Sequence, residues 1–340
     1  MRPKKLIVLI ALLLAALRAG AEDGAARAAP GDDAALFQRF ESRALAGDAT
    51  AQNNLGVLYL KGKGVAQDYV RAQQLFDAAA LQHLPGAMFN LAMVYLRGYG
   101  VPPAPLRAID WLQRAAALDD REAQYFLGVI YARGQGVSAD PQAAKEWFEK
   151  SARAGLPAAQ FNLAMLYLRN PTPTAGENEA MKWLESAAKQ GYKRADLAIA
   201  KLDLSHNDDP LRLAHAANLL RELAASGDAE GQMQFGLMNL FGTGLPLDES
   251  EGRFWLRESA LQGLAAAQVN LSAVFVRGIG IAKDPIQAYA WLSMAAAQDE
   301  KVRAAMTEMA AGLTPEQRRL GEAMAKELQQ KRVPAELAPP

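Results

Sequence analysis

The chain has 340 residues, 37 Lys plus Arg against 37 Asp plus Glu, 51% hydrophobic residues and no Cys. Balanced charge speaks against a nucleic-acid partner, which needs a strongly basic face, and the lack of Cys excludes a disulfide framework and a lipid-modified N-terminal Cys. The fold must therefore be held by packing.

Residues 1–21 read as a cleavable signal peptide. Arg2, Lys4 and Lys5 precede an apolar run from Leu6 to Leu17, and Ala19, Gly20 and Ala21 are small residues suited to cleavage after Ala21. The run is short for a membrane span, which makes an uncleaved anchor the weaker reading. These features predict a periplasmic or secreted protein that meets a membrane only through this segment. Cleavage removes Arg2, Lys4, Lys5 and Arg18 and no acid, leaving a mature charge of about −4. Residues 22–33 are rich in Ala, Gly and Asp without periodicity and predict a flexible leader. Residues 34–50 predict an N-terminal capping helix with Leu36, Phe37, Phe40 and Leu45 on its inner side.

From residue 51 one unit recurs every 36 residues without insertion, with copies beginning at Ala51, Ala87, Ala123, Ala159, Ala195, Gly231 and Ala267. The third copy shows the local logic. Ala123, Leu127, Ile130 and Tyr131 share one stripe of a helix. Gly134 ends that helix, with Arg133 against its negative end. Asp140 and Pro141 restart the chain as N-cap and first helical residue. Ala144, Trp147, Phe148, Ser151 and Ala152 then mark the inner face of a second helix. Neither helix can bury its stripe alone. Leu75, Trp111, Trp147, Trp183, Leu219, Trp255 and Trp291 occupy one position of the repeat, and their apolar or small neighbours predict that they pack between hairpins. Tyr59, Tyr95, Tyr131, Tyr167, Asp203, Asn239 and Phe275 occupy another, and glycine pairs such as Gly62/Gly64 and Gly134/Gly136 repeat the turn.

At these residues the chain resembles the Sel-one-like repeat family (SLR), a relative of the tetratricopeptide repeats (TPR), over residues 51–302. The resemblance implies an all-α fold, a right-handed α-solenoid of seven 36-residue helix-turn-helix repeats. These fall at 51–86, 87–122, 123–158, 159–194, 195–230, 231–266 and 267–302, with capping helices at both ends. It also implies a scaffold for protein assembly or signalling without chemistry of its own. The copy at 195–230 departs from the pattern, lacking the Tyr and both glycines, and Asp209-Pro210 would start its second helix three residues early. In the copy at 159–194, Asn170 to Pro173 replace the glycine turn. Beyond the repeats, residues 303–340 predict a C-terminal cap and a loose tail. There Thr314, Pro315 and Gln317 start a helix with a capping box, and the helix runs to about Gln330.

No catalytic constellation emerges, so the expectation is a non-enzyme with no cofactor and no metal. Ser186-Ala-Ala-Lys189 matches the first motif of penicillin-recognising serine enzymes, but neither companion motif follows. His206 with Asp208 and Asp209 has no recognised metal spacing, and turn and cap duty explains the acids more simply. The competing class is an enzyme acting on envelope polysaccharide or cell wall through a site the sequence does not display.

The partner prediction rests on the first helix of each copy. Asn54, Asn90, Asn162 and Asn270 share one flank position, and Lys61, Arg97, Arg133, Arg169 and Arg277 share a position two turns on. In TPR-type solenoids the first helices line the concave surface. Amides can hydrogen-bond an extended backbone and Arg can grip carboxylates, so these nine residues predict an extended, acidic peptide or protein partner held in the groove of a monomer. The competing account has each cation satisfying its own helix end and each Asn bonding between repeats.

Overall fold

The computed structural model describes residues 33–169 and 175–331, among which there are 17 α-helices and no strand. The expected signal segment and the expected leader to residue 32, the connection at Asn170 to Pro173 and the residues from 332 on lie outside the described residues. Helix α1 (Asp33–Leu45) precedes seven hairpins. These are α2 (Ala49–Lys61) with α3 (Tyr69–Ala80), α4 (Pro85–Arg97) with α5 (Pro105–Ala116), α6 (Arg121–Arg133) with α7 (Pro141–Arg153), and α8 (Pro157–Arg169) with α9 (Ala175–Ala188). Then come α10 (Lys193–Ser205) with α11 (Pro210–Ala225), α12 (Ala229–Phe241) with α13 (Glu249–Leu261), and α14 (Ala265–Arg277) with α15 (Pro285–Ala296). Helices α16 (Glu300–Ala311) and α17 (Pro315–Gln330) follow. The protein is thus an all-α, solenoid-like repeat. It divides into two compact units, one ending at Trp183 and one beginning at Leu184.

The helix boundaries follow from the residues at them. Asp48, Asp120 and Asp228 accept a backbone N–H from the first turn of a first helix, and Asp68, Asp140, Asp248 and Asp284 do so for second helices. Each satisfies a donor that the helix itself cannot. Gly62, Gly98, Gly134, Gly242 and Gly278 stop the first helices in the left-handed conformation, with φ between 64° and 72°. The second glycine of each pair has another reason: a Cβ on Gly100 would lie 2.7 Å from Tyr69, and one on Gly244 would lie 2.7 Å from Leu213, on the second helix of the preceding copy. The pair therefore ends one helix and seats the neighbouring hairpin.

The core runs along one position of the second helices. Phe76, Leu112, Phe148, Leu184, Leu220, Leu256 and Leu292 are buried there, none more than 6% exposed. The tryptophans stand one residue earlier. With Ala144, Phe148, Ser151 and Ala152 as the buried stripe, Trp147 projects about 80° from its centre. Trp111, Trp147, Trp183 and Trp255 are accordingly half-buried, and only Trp291 is enclosed. Their rings still pack against the clusters formed by the hairpins. Arg114 lies over Trp111 at 4.7 Å and Lys150 over Trp147 at 4.3 Å. In α1 the packed residues are Phe40 and Ala44, whereas Leu45, expected inside, is 77% exposed. Between the last repeat and the capping helix lies α16, N-capped by Asp299 and without a fully buried residue. Its weak apolar stripe is why the sequence pattern did not reveal it. Thr314 and Gln317 form the capping box that starts α17.

Candidate functional site

The nine flank residues fall into two groups. The amides lie within the packing of neighbouring first helices. Asn90 is fully buried and its Nδ2 donates to Asn53 Oδ1 at 2.8 Å; Asn53 Nδ2 in turn donates to Asn54 Oδ1 at 3.5 Å, and Asn54 is 5% exposed. Asn162, half-buried, donates to Tyr125 Oη at 3.3 Å. Both inter-repeat bonds span 37 residues, joining a first helix to the one before it. Phe89 meets Phe126 edge-on at 5.2 Å in the same seam. Asn270 is half-buried on α14.

The cations end the first helices. Lys61, Arg133, Arg169 and Arg277 are exposed and Arg97 is half-buried. In the first unit Asn90 with Asn53, Phe89 with Phe126 and Asn162 with Tyr125 join successive first helices, so Lys61, Arg97, Arg133 and Arg169, at the same end of α2, α4, α6 and α8, form a row. None of the four makes an ion pair among the described residues. Arg97 Nη2 is buried without a hydrogen-bond partner. Partial desolvation, and then the charge of Lys63, hold the Lys61 ammonium below the usual Lys value. Each feature raises the free energy of the cations as they stand, and a carboxylate placed along the row lowers it.

Three further features went unread in the sequence. Gln52, Gln124, Gln160, Gln232 and Gln268 stand at one repeat position, and each donates to the carbonyl eight residues back, near the end of the preceding helix. The distances run from 3.1 to 3.4 Å. The recurrence of Gln was the available signal for this seam. In the departing copy, Asp203 takes the place of Tyr and is 2% exposed. His215, on α11, closes on it with Nδ1 2.7 Å from Oδ2. His206 ends α10 and lies 2.7 Å from Arg212 Nη1; Asp209, by contrast, caps α11 and Pro210 begins it, as the sequence predicts. Among the described residues no group of three or more His, Cys, Asp or Glu could hold a metal.

The Sel1 repeat family model matches residues 49–84, 85–120, 121–156, 157–192, 229–264 and 265–300. The chain belongs to the Sel1 repeat family. The departing stretch 193–228 is the one the family model passes over. A Sel1 repeat protein from Oxalobacter formigenes is similar in structure, with TM-score 0.62 and 28% identity over 80% of this chain and 80% of that one. A protective antigen of uropathogenic Escherichia coli displaying an SLR fold is similar with TM-score 0.51 and 26% identity, over 88% of this chain and 73% of that one. No curated protein matches the chain. Sel1 repeats in general mediate protein–protein interaction and are generally non-catalytic. No helix among the described residues is long and apolar enough to cross a membrane.

Proposed function

We propose that this Sel1 repeat protein is a non-catalytic scaffold of the bacterial cell envelope that holds an extended acidic segment of a protein partner along Lys61, Arg97, Arg133 and Arg169. The observation that carries the reading is the recurrence of a cation at the same end of α2, α4, α6 and α8, none of the four in an ion pair among the described residues. An exposed cation without an ion pair binds a carboxylate readily, because binding supplies a charge-assisted bond that the protein does not. The amides contribute by fixing the helices that carry the cations, and Asn162 also has its half-buried side chain beside the row. Arg277 repeats the cation in the second unit.

The test uses a labelled peptide of alternating Glu and Ala as probe. Changing Arg97→Glu together with Arg133→Glu is expected to weaken binding by at least about tenfold, with the melting temperature unchanged. Retained affinity in a folded double variant overturns the reading. The envelope location rests on the signal-like residues 1–21. N-terminal sequencing of the exported protein should therefore begin at Glu22, and intact Met1 on cytoplasmic protein in a secretion-competent host counts against export.

A further inference from the structure

The second unit contains an open cavity of about 430 Å³ between α13 and α17, floored by Phe275 and Trp291 of α14 and α15. We propose that it is a docking site, separate from the cation row, for a peptide segment that presents one bulky apolar side chain between carboxylates.

Phe254 is the first reason. It projects from α13 at 53% exposure and lines the cavity. The same repeat position in the five preceding copies holds Gln74, Asp110, Glu146, Lys182 and Asn218, all polar. The following copy holds the small Ala290, so the hairpin does not need a large apolar residue there, and an exposed Phe at this position is a departure that the fold does not explain. Its ring is held edge-on against Trp255 at 5.0 Å, so it stands as a fixed wall rather than a loose side chain. Ile281, 41% exposed in the turn between α14 and α15, completes the apolar rim.

Charge supplies the second reason and selects the occupant. Arg253 and Arg257 stand on the α13 wall and Lys331 at the end of α17, with Glu327 the one acid in the lining. Lys331 lies 2.6 Å from Glu327, and Arg257 lies 3.6 Å from Glu258, but these pairs are exposed and weakly bound. Among the described residues Arg253 donates to the Ile279 carbonyl at 3.4 Å, with the Glu249 carboxylate nearby but in no ion pair with it. Cations on both walls of an apolar floor match carboxylates on both sides of one apolar group. A peptide provides that arrangement, and a fatty-acid anion with a single head group does not. The volume also lies near the small end of ligand cavities, about 300–1,000 Å³, which suits an anchoring side chain rather than a large cofactor.

The experiment measures fluorescence anisotropy on the full chain with a fluorescein-labelled peptide that has a single Phe between two runs of three Glu. Two control peptides replace Phe by Ser, or every Glu by Gln. The parent is expected to bind the first peptide at least about tenfold more tightly than either control. Phe254→Gln restores the residue that the first copy uses, so the fold should persist, as its melting temperature checks. That variant and Arg257→Glu should each lose about tenfold, while the Arg97→Glu, Arg133→Glu double variant keeps parental affinity. Unchanged binding in Phe254→Gln, equal binding of the Gln-flanked peptide, or loss confined to the double variant would each overturn the proposal.

Discussion

Gly128 and Phe148 show how single residues set the spacing within a hairpin. A Cβ on Gly128 would lie 2.6 Å from the Phe148 ring, and one on Gly56 would lie 2.7 Å from Phe76. Where the second helix carries Leu instead, the first carries a larger residue: Ala92 packs in one cluster with Leu112, and Ala200 in one cluster with Leu220. The pair conserves volume, Gly with Phe or Ala with Leu, so the helices keep one separation. Gly236 with Leu256 departs from this, and there the added Cβ would meet the Gly252 carbonyl oxygen at 2.9 Å, a close approach of backbones. Gly128→Ala should thus destabilise the protein by about 1–3 kcal/mol through overpacking, although Ala is the better helix former. Adding Phe148→Leu should recover most of that loss, giving a favourable coupling above about 0.5 kcal/mol in a double-mutant cycle followed by urea unfolding. Strictly additive effects would show that the two side chains do not share the space.

At the level of the helix, what could be read depended on whether a signal was local. Caps could be read, because Asp140 before Pro141 and Thr314 three residues before Gln317 carry their meaning within one turn. The hairpins could also be read, because the period brings the same stripe back seven times. The depth of each position was harder. Trp147 and Phe148 both look like core residues in a linear pattern, and only the orientation of the neighbouring hairpin decides that Phe148 goes in while Trp147 lies along the edge under Lys150. The amides could be read as two alternatives, groove or inter-repeat bonding, and Asn90 meeting Asn53 across a helix seam that no single copy contains favours the second. Asp203 was legible as an exception but not as a solution, since His215 sits on the next helix, twelve residues away. The cavity beside Phe254 was out of reach of a period-based reading, because averaging over copies conceals what a single copy carries. Helix α16 escaped because its sequence has too little apolar periodicity to stand out.

Over the whole molecule, charge is balanced in number and uneven in place. The 37 basic and 37 acidic residues give no net attraction for anything, yet Lys61, Arg97, Arg133 and Arg169 form a basic line in the first unit. Any pull on an acidic segment is consequently local and falls off within a Debye length, about 8 Å at physiological ionic strength. The two proposed sites should therefore respond differently to salt. Along the cation row the affinity is almost wholly electrostatic, so the Glu and Ala peptide should weaken by more than about tenfold when NaCl rises from about 50 to about 500 mM. At the cavity beside Phe254, burial of an aromatic side chain contributes roughly 1.5–3 kcal/mol that ions do not screen. The Phe-bearing peptide should then lose the charge-dependent part of its affinity but keep the aromatic part, giving the shallower salt slope over the same range. Anisotropy titrations at several salt concentrations decide this, and equal slopes of log affinity against log salt for the two peptides would mean that both are held by charge alone, leaving the exposed Phe254 without a role in binding.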